Sequence, residues 1–226
     1  MEKQWKILFC DAEVKQCPVS DFMMSCKTEH QIKLLHFFEL LEEMGPNLPR
    51  PYADTLRNGI HELRVKLSGE QYRLLYFFCF ERYIIFFDAF PKYTYRVSDK
   101  YIRNTINYRE ILLEKSDKDN FIKKNYENAF HLVSGKLNEK AFKKEYDEKC
   151  NVCSTTVSLI KKYYELGVTK EELAHQVNVS IKDLTDLEEA NNCKFEVVEK
   201  LCIAFDIPVP QACIKETLRL AGNNPN

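Results

Sequence analysis

The stretch Ile60-His61-Glu62-Leu63-Arg64-Val65-Lys66-Leu67-Ser68-Gly69-Glu70-Gln71-Tyr72-Arg73-Leu74-Leu75-Tyr76-Phe77-Phe78-Cys79-Phe80 decides the fold of the first half of the chain. Runs dense in Tyr, Phe, Ile and Leu flank Ser68-Gly69, a pair that supplies the positive-φ residues a tight hairpin requires. Ile60 to Leu67 and Tyr72 to Phe80 are therefore predicted to be paired strands. Asn58-Gly59 is a second turn of the same kind, fed by Thr55-Leu56, and Tyr83 to Phe87 adds another strand. Upstream, Leu34, Leu35, Phe38, Leu41 and Met44 recur at three- and four-residue intervals and predict a helix from about Ser20 to Met44. Gly45-Pro46-Asn47 ends it, because glycine tolerates a left-handed cap and proline cannot continue the hydrogen-bond ladder. Gln4 to Phe9 suits a short opening strand, and Asp99 to Leu113 reads as a helix after the sheet.

Beyond Asp117 the composition shifts. A stretch rich in Lys and Asn runs to about Glu148 with sparse apolar positions at Phe121, Tyr126, Phe130 and Leu132, broken at Ser134-Gly135, and residues 154 to 206 read as helices joined by short turns. The expected fold is α+β: a small antiparallel sheet with flanking helices over residues 1–115, a helical linker over 116–150, and an all-α helix-turn-helix bundle over 151–226. Two units suit a chain of 226 residues, since domains cluster at roughly 100 to 150 residues. With 45% hydrophobic and 30% charged residues, the chain has the apolar material for packed cores, which excludes a disordered protein. No apolar run approaches the roughly 18 residues of a membrane helix, and Met-Glu-Lys-Gln-Trp lacks the apolar stretch of a secretory signal. A cytoplasmic protein without a membrane partner is expected.

The nine cysteines are odd in number and scattered, so they read as reduced thiols rather than a disulfide framework. Cys150-Asn151-Val152-Cys153 has the spacing of half a zinc site, but no second tight pair completes it. Neither a metal nor another cofactor is expected. The formal net charge is −1, so nucleic-acid binding would have to come from a local patch.

Three segments carry an identification: Leu40-Leu41-Glu42-Glu43-Met44-Gly45-Pro46 with Arg50-Pro51, then Gly59-Ile60-His61-Glu62-Leu63-Arg64, then Tyr72-Arg73-Leu74-Leu75-Tyr76. Their order and spacing resemble HigB-like toxins of the RelE/ParE superfamily over about residues 5 to 112. The resemblance implies a small sheet backed by helices that cuts mRNA, typically on the ribosome, without a metal ion. Such chemistry needs an activated 2′-hydroxyl in line with the phosphate, stabilised negative charge and a protonated leaving oxygen. Arg64, Arg73, Lys92, Tyr93 and Arg96 are the candidate catalytic residues, and His61, Tyr95 and Tyr101 the candidate RNA-binding residues. If register pairs Arg64 with Arg73, both guanidiniums leave one face. Arg64 has a second reading, as an ion-pair partner of Glu62 two residues away on the same strand face. The chain departs from the family at Tyr93, where a second lysine is usual, at Ser98 in place of proline, and at Asp88 where histidine is common.

Gly167-Val168-Thr169-Lys170-Glu171-Glu172-Leu173-Ala174, with Val177-Asn178-Val179-Ser180 and Leu184, Leu187 and Glu188, resembles the Xre/HigA-type helix-turn-helix of antitoxins. Thr169 with Glu172 forms a capping box, Asn178 takes the turn and Ser180 caps the second helix. The resemblance puts that helix in the major groove of operator DNA, with Thr169, Lys170, Ser180, Ile181, Lys182 and Thr185 as candidate contacts. Asp183 and Asp186 oppose this reading because they bring negative charge toward a polyanion. Together the halves imply a fused toxin-antitoxin protein, the second domain neutralising the first through an intramolecular contact, with homodimerisation open. The competing reading is a non-enzymatic DNA-binding regulator or scaffold that retains a degenerate toxin domain.

Overall fold

The structure, a computed structural model, describes residues 5–9, 18–94, 96–115, 117–123, 155–189, 191 and 194–210. The chain divides into two compact units, Met1–Phe142 and Lys143–Asn226. The first is an α+β unit in the order β1 (Lys6–Phe9), α1 (Pro18–Ser25), α2 (Thr28–Met44), a 3-10 turn at Gly45–Asn47, β2 (Ala53–Thr55), β3 (Ile60–Leu67), β4 (Glu70–Cys79), β5 (Tyr83–Pro91) and α3 (Asp99–Lys115). A helical segment over residues 118–123, α4, follows.

The five strands lie in the order β1-β5-β4-β3-β2. The predicted hairpins form: Asn58 and Gly59 have φ of 53° and 71°, and Ser68 and Gly69 have φ of 48° and 88°. Successive hairpins make β2 to β5 an antiparallel meander. The expectation of a wholly antiparallel sheet is corrected at the edge, where β1 pairs parallel with β5, Lys6 to Tyr83 through Phe9 to Phe86. Two helices and the meander separate these strands in sequence, so no hairpin constrains their direction.

Helices cover both faces of the sheet, which explains why β4 reads as an unbroken apolar run rather than an alternating one. On one face, Phe38 of α2 packs on Phe86 with ring centroids 5.0 Å apart and Phe22 of α1 on Tyr72 at 4.9 Å. On the other, Tyr108 of α3 stacks on Phe87 at 4.7 Å and Tyr101 on Phe90 at 4.0 Å. A bulge between Leu75 and Tyr76 supplies this second face with Phe87: Leu75 faces Asp88 and Tyr76 faces Phe86, leaving Phe87 as the extra residue.

The single helix expected from Ser20 to Met44 is two. Lys27 adopts extended backbone, φ −62° and ψ 155°, and becomes the N-cap of α2. The buried Gln31 amide donates to the Met23 carbonyl at 3.0 Å, satisfying a group that the end of α1 leaves open. At the other end of α2, Gly45 has φ +54°, and a Cβ there would meet Trp5 Nε1 at 2.1 Å. Both the left-handed backbone and the close indole therefore require glycine.

The second unit contains a helical segment over residues 155–166, α5, followed by α6 (Lys170–Val177), α7 (Ile181–Glu188) and α8 (Phe195–Ala204). Leu159, Ile160, Leu173, Leu184, Val198 and Leu201 form its buried centre. The expected capping box of Thr169 with Glu172 is present, the expected cap at Ser180 closes a second box with Asp183, and Asn178 makes the turn in the left-handed region at φ 52° and ψ 57°. Most of the expected linker, with Cys150 and Cys153, lies outside the described residues. Among the described residues no helix is long and apolar enough to cross a membrane, and no group of three His, Cys, Asp or Glu is placed to hold a metal ion.

Candidate nucleic-acid interface

The β3–β4 hairpin fixes the first cluster. Its register sets Arg64 opposite Arg73, Lys66 opposite Gln71 and Glu62 opposite Leu75. Directly opposed residues share a face, and residues two apart along a strand do too. Arg64, Lys66, Gln71 and Arg73 therefore leave the same face, the one α3 covers farther along. Lys92 joins them from the end of β5: its backbone N–H donates to the Gln71 carbonyl at 2.7 Å and its Nζ donates to Gln71 Oε1 at 2.6 Å. Three of the sequence candidates, Arg64, Arg73 and Lys92, thus meet at one end of one sheet face.

Two arginines directly opposed would repel, and the intervening acids resolve this. Glu62, 1% exposed, accepts from Arg64 Nε at 2.8 Å through one carboxylate oxygen and from Arg73 Nη1 at 3.0 Å through the other. Arg64 Nη2 also donates to Asp54 Oδ2 at 2.7 Å, and Arg50 approaches the same oxygen at 2.6 Å. Against the burial that would raise it, the hydrogen bond from Arg50 and the charge of Arg64 hold the Asp54 carboxyl below its ordinary value. Both readings of Arg64 thus describe the same side chain: it is ion-paired with Glu62 and remains partly exposed. Arg73 differs, being 4% exposed, with its second terminal nitrogen donating to the Thr94 carbonyl at 3.2 Å.

The segment after β5 supplies exposed groups. Tyr93 is 87% exposed and Arg96 is exposed, while Tyr95 lies outside the described residues. Tyr101 is stacked on Phe90 and serves packing between α3 and the sheet. His61 is not brought to the cluster. Three residues before Arg64, it leaves the opposite face, where it stacks on Tyr76 with centroids 5.4 Å apart and shares a 3.2 Å hydrogen bond with Thr55; burial lowers its pKa. Asp88, opposite Leu75, lies on the arginine face. Burial raises the pKa of its carboxyl, opposed by the hydrogen bond it accepts from the Ala89 N–H.

Sequence reasoning missed Lys66 as a member of this cluster, and it paired Glu62 with Arg64 but not with Arg73. The signal was present: the Ser68-Gly69 turn sets the register of every facing pair, and Lys66 and Glu62 flank Arg64 at a spacing of two.

In the second unit the candidate DNA contacts separate into engaged and outward groups. Lys170 Nζ donates to Glu188, 4% exposed, and approaches the Thr185 hydroxyl at 3.4 Å. Both of these candidates are tied into the α6–α7 contact. The Thr169 and Ser180 side chains are engaged in their capping boxes. Ile181, 47% exposed, and Lys182 remain outward. Asp183 serves as the cap acid of α7, its pKa lowered first by the Ser180 hydroxyl and also by Lys194. Asp186 accepts from the Asn191 side chain at 3.2 Å. Removing the cap with Ser180→Ala is expected to cost about 1 kcal/mol, seen as faster amide exchange across α7 with α3 unchanged.

No curated protein matches this chain. The sequence model of the family described as "Phage derived protein Gp49-like (DUF891)" matches residues 21–108, from within α1 to within α3. The segment that carries the Arg64, Arg73 and Lys92 cluster is thus similar to Gp49-like phage-derived proteins, a RelE/toxin-like family.

Proposed function

We propose that this chain is a fused type II toxin-antitoxin protein whose first unit is a metal-independent ribonuclease of the RelE/HigB kind and whose helix-turn-helix unit holds it inactive in cis. The observation that carries the ribonuclease half is the convergence of Arg64, Lys66 and Lys92 on one end of a sheet face, supported by the toxin-like family match over the same segment. A scissile phosphate needs several cations at close range, and arginine and lysine supply them as fork and point charge. Arg64, Lys66 and Lys92 hold the phosphate in this reading, and Tyr93 and Arg96 reach the reacting group from the adjoining segment. His61 has no part in it, because its side chain leaves the other face.

Neutralisation in cis, rather than operator reading, is the role assigned to the second unit. Lys170 is engaged with Glu188 and Thr185, and Asp183 and Asp186 place carboxylates on the helix that would approach DNA phosphates. The test compares the full chain with residues 1–142 in single-turnover cleavage of single-stranded RNA and of ribosome-bound mRNA. Residues 118–123 belong in the shorter chain because Phe121 is buried and packs on Phe80. Cleavage by the short chain and its suppression in the full chain is the expected pattern. No cleavage by either ends the ribonuclease reading, and equal cleavage by both ends the neutralisation reading.

Lys92→Ala is expected to weaken RNA binding by the short chain with little sequence preference. It should also reduce the slope of log affinity against log salt by roughly 0.7, the value for one lost single-strand phosphate contact. Titrations at several salt concentrations read this directly.

A further inference from the structure

Arg73 sits in the cluster but presents little of itself to a ligand. It is 4% exposed, its Nη1 is bound to Glu62 Oε2 at 3.0 Å and its Nη2 to the Thr94 carbonyl at 3.2 Å. Thr94 belongs to the segment that carries Lys92, Tyr93 and Arg96, where the Thr94 hydroxyl donates to the Arg96 carbonyl at 2.6 Å. Glu62 is held on its other side by Arg64. A continuous chain of charge-assisted hydrogen bonds therefore runs from the partly exposed Arg64 through Glu62 and Arg73 to the backbone of that segment. Buried in this way, the guanidinium is spent on its own protein, and its planar fork spans two acceptors in fixed directions, which a lysine cannot do.

We propose that Arg73 is a positioning residue: through Glu62 and the Thr94 carbonyl it ties the segment after β5 to the sheet, and so sets Lys92, Tyr93 and Arg96 against Arg64 for an RNA phosphate. The role in RNA binding rests on the proposed ribonuclease reading, whereas the tether itself does not. Trypsin reports the tether without any activity, because Lys92 and Arg96 provide cleavage sites within the tied segment. In the full chain, Arg73→Lys is expected to raise the rate of cleavage after Lys92 and Arg96 by about tenfold relative to other sites, as for loss of one charge-assisted hydrogen bond. The fold should be retained, as read by Trp5 fluorescence. Unchanged protection in a folded variant overturns the tether.

A double-mutant cycle then separates positioning from direct contact. In residues 1–142, Arg73→Lys should weaken RNA binding in the native background and have little further effect once Lys92 and Arg96 are both alanine. Equal losses in the two backgrounds make Arg73 a direct phosphate contact and overturn the proposal. If the segment loosens but the parent protein binds no RNA, the tether stands and the ribonuclease reading falls. Should the Arg73 variants fail to fold, guanidinium NMR of the parent protein decides: rotation of the Arg73 terminal nitrogens slower than those of Arg96 supports the tether, and equal rotation overturns it.

Discussion

Glu62→Leu is expected to destabilise the first unit by about 3 to 5 kcal/mol, the cost of removing one partner from a buried ion-pair network. The carboxylate is 1% exposed and serves both guanidiniums, one oxygen to each. Without it, Arg64 and Arg73 face each other across the β3–β4 ladder with their shared counter-charge gone. Like charges directly opposite are unfavourable in a sheet, and burial removes the water that would screen them. The measurement is simple because the chain has a single tryptophan. Trp5 packs edge-on against Phe78 with centroids 4.8 Å apart, so its fluorescence follows unfolding of the first unit alone. A urea midpoint within experimental error of the parent would show that the network contributes nothing. The companion variant Glu62→Leu/Arg64→Met/Arg73→Leu should recover most of the loss, since a well-packed apolar set can replace a buried ion network. It should also lose RNA binding, which separates the stability of this end of the sheet from its chemistry.

The second large effect concerns acid. His36 lies on α2 almost wholly buried, with neither ring nitrogen hydrogen-bonded, and burial together with the charge of Lys33 lowers its pKa to about 4. In the unfolded chain the ring takes up its proton near pH 6.5, whereas in the folded unit it stays neutral until about pH 4. Between these values the unfolded state binds more protons, so stability is fully present above pH 6.5 and is lost as pH falls toward 4. At 1.36 kcal/mol per unit the loss comes to about 3 kcal/mol. His36→Leu abolishes this contribution, and it also removes two buried ring nitrogens that lack partners. The variant should be at least as stable as the parent at pH 7, and its advantage should widen by about 2 to 3 kcal/mol by pH 4.5. Trp5 fluorescence in urea at the two pH values reads the difference. Parallel losses in the two proteins would show that His36 is not the group that titrates.

Much of the first unit was legible because its information is local. Asn58-Gly59 and Ser68-Gly69 each place two residues at positive φ, and Ser68-Gly69, a two-residue turn between Leu67 and Glu70, sets both pairing and register of its strands. Once Ser68-Gly69 is read as a two-residue turn, the facing of Arg64 and Arg73 and that of Lys66 and Gln71 follow by counting. The hairpin from β4 to β5 was harder to place, because its positive-φ residues are Phe80 and Glu81, at 49° and 66°. Neither is a residue that signals a turn. The extension of β5 to Pro91 and the bulge at Phe87 were also hidden, since a bulge inserts a residue without changing the apolar character of the run.

The helix-turn-helix was legible for the same reason. Thr169 with Glu172, Asn178 and Ser180 are capping and turn residues whose hydrogen bonds close within four positions. What Asp183 does was legible in part: its charge was plain, but its engagement with the Ser180 backbone and hydroxyl makes it a cap acid as well as an obstacle to DNA. The pairing of Lys170 with buried Glu188 joins residues 18 apart, beyond the reach of a spacing rule.

By itself, then, the sequence determined what short-range stereochemistry controls: the glycine turns, the caps at Gly45, Thr169 and Ser180, the β3–β4 register and the face from which Arg64 and Arg73 leave. Only the tertiary structure decided which of those side chains remain available to a ligand. Burial and counter-charge come from residues distant along the chain, and they distinguish Arg64, partly exposed, from Arg73, spent on Glu62 and Thr94. The tertiary structure also brings Lys92, 28 residues after Arg64, onto the basic edge through Gln71.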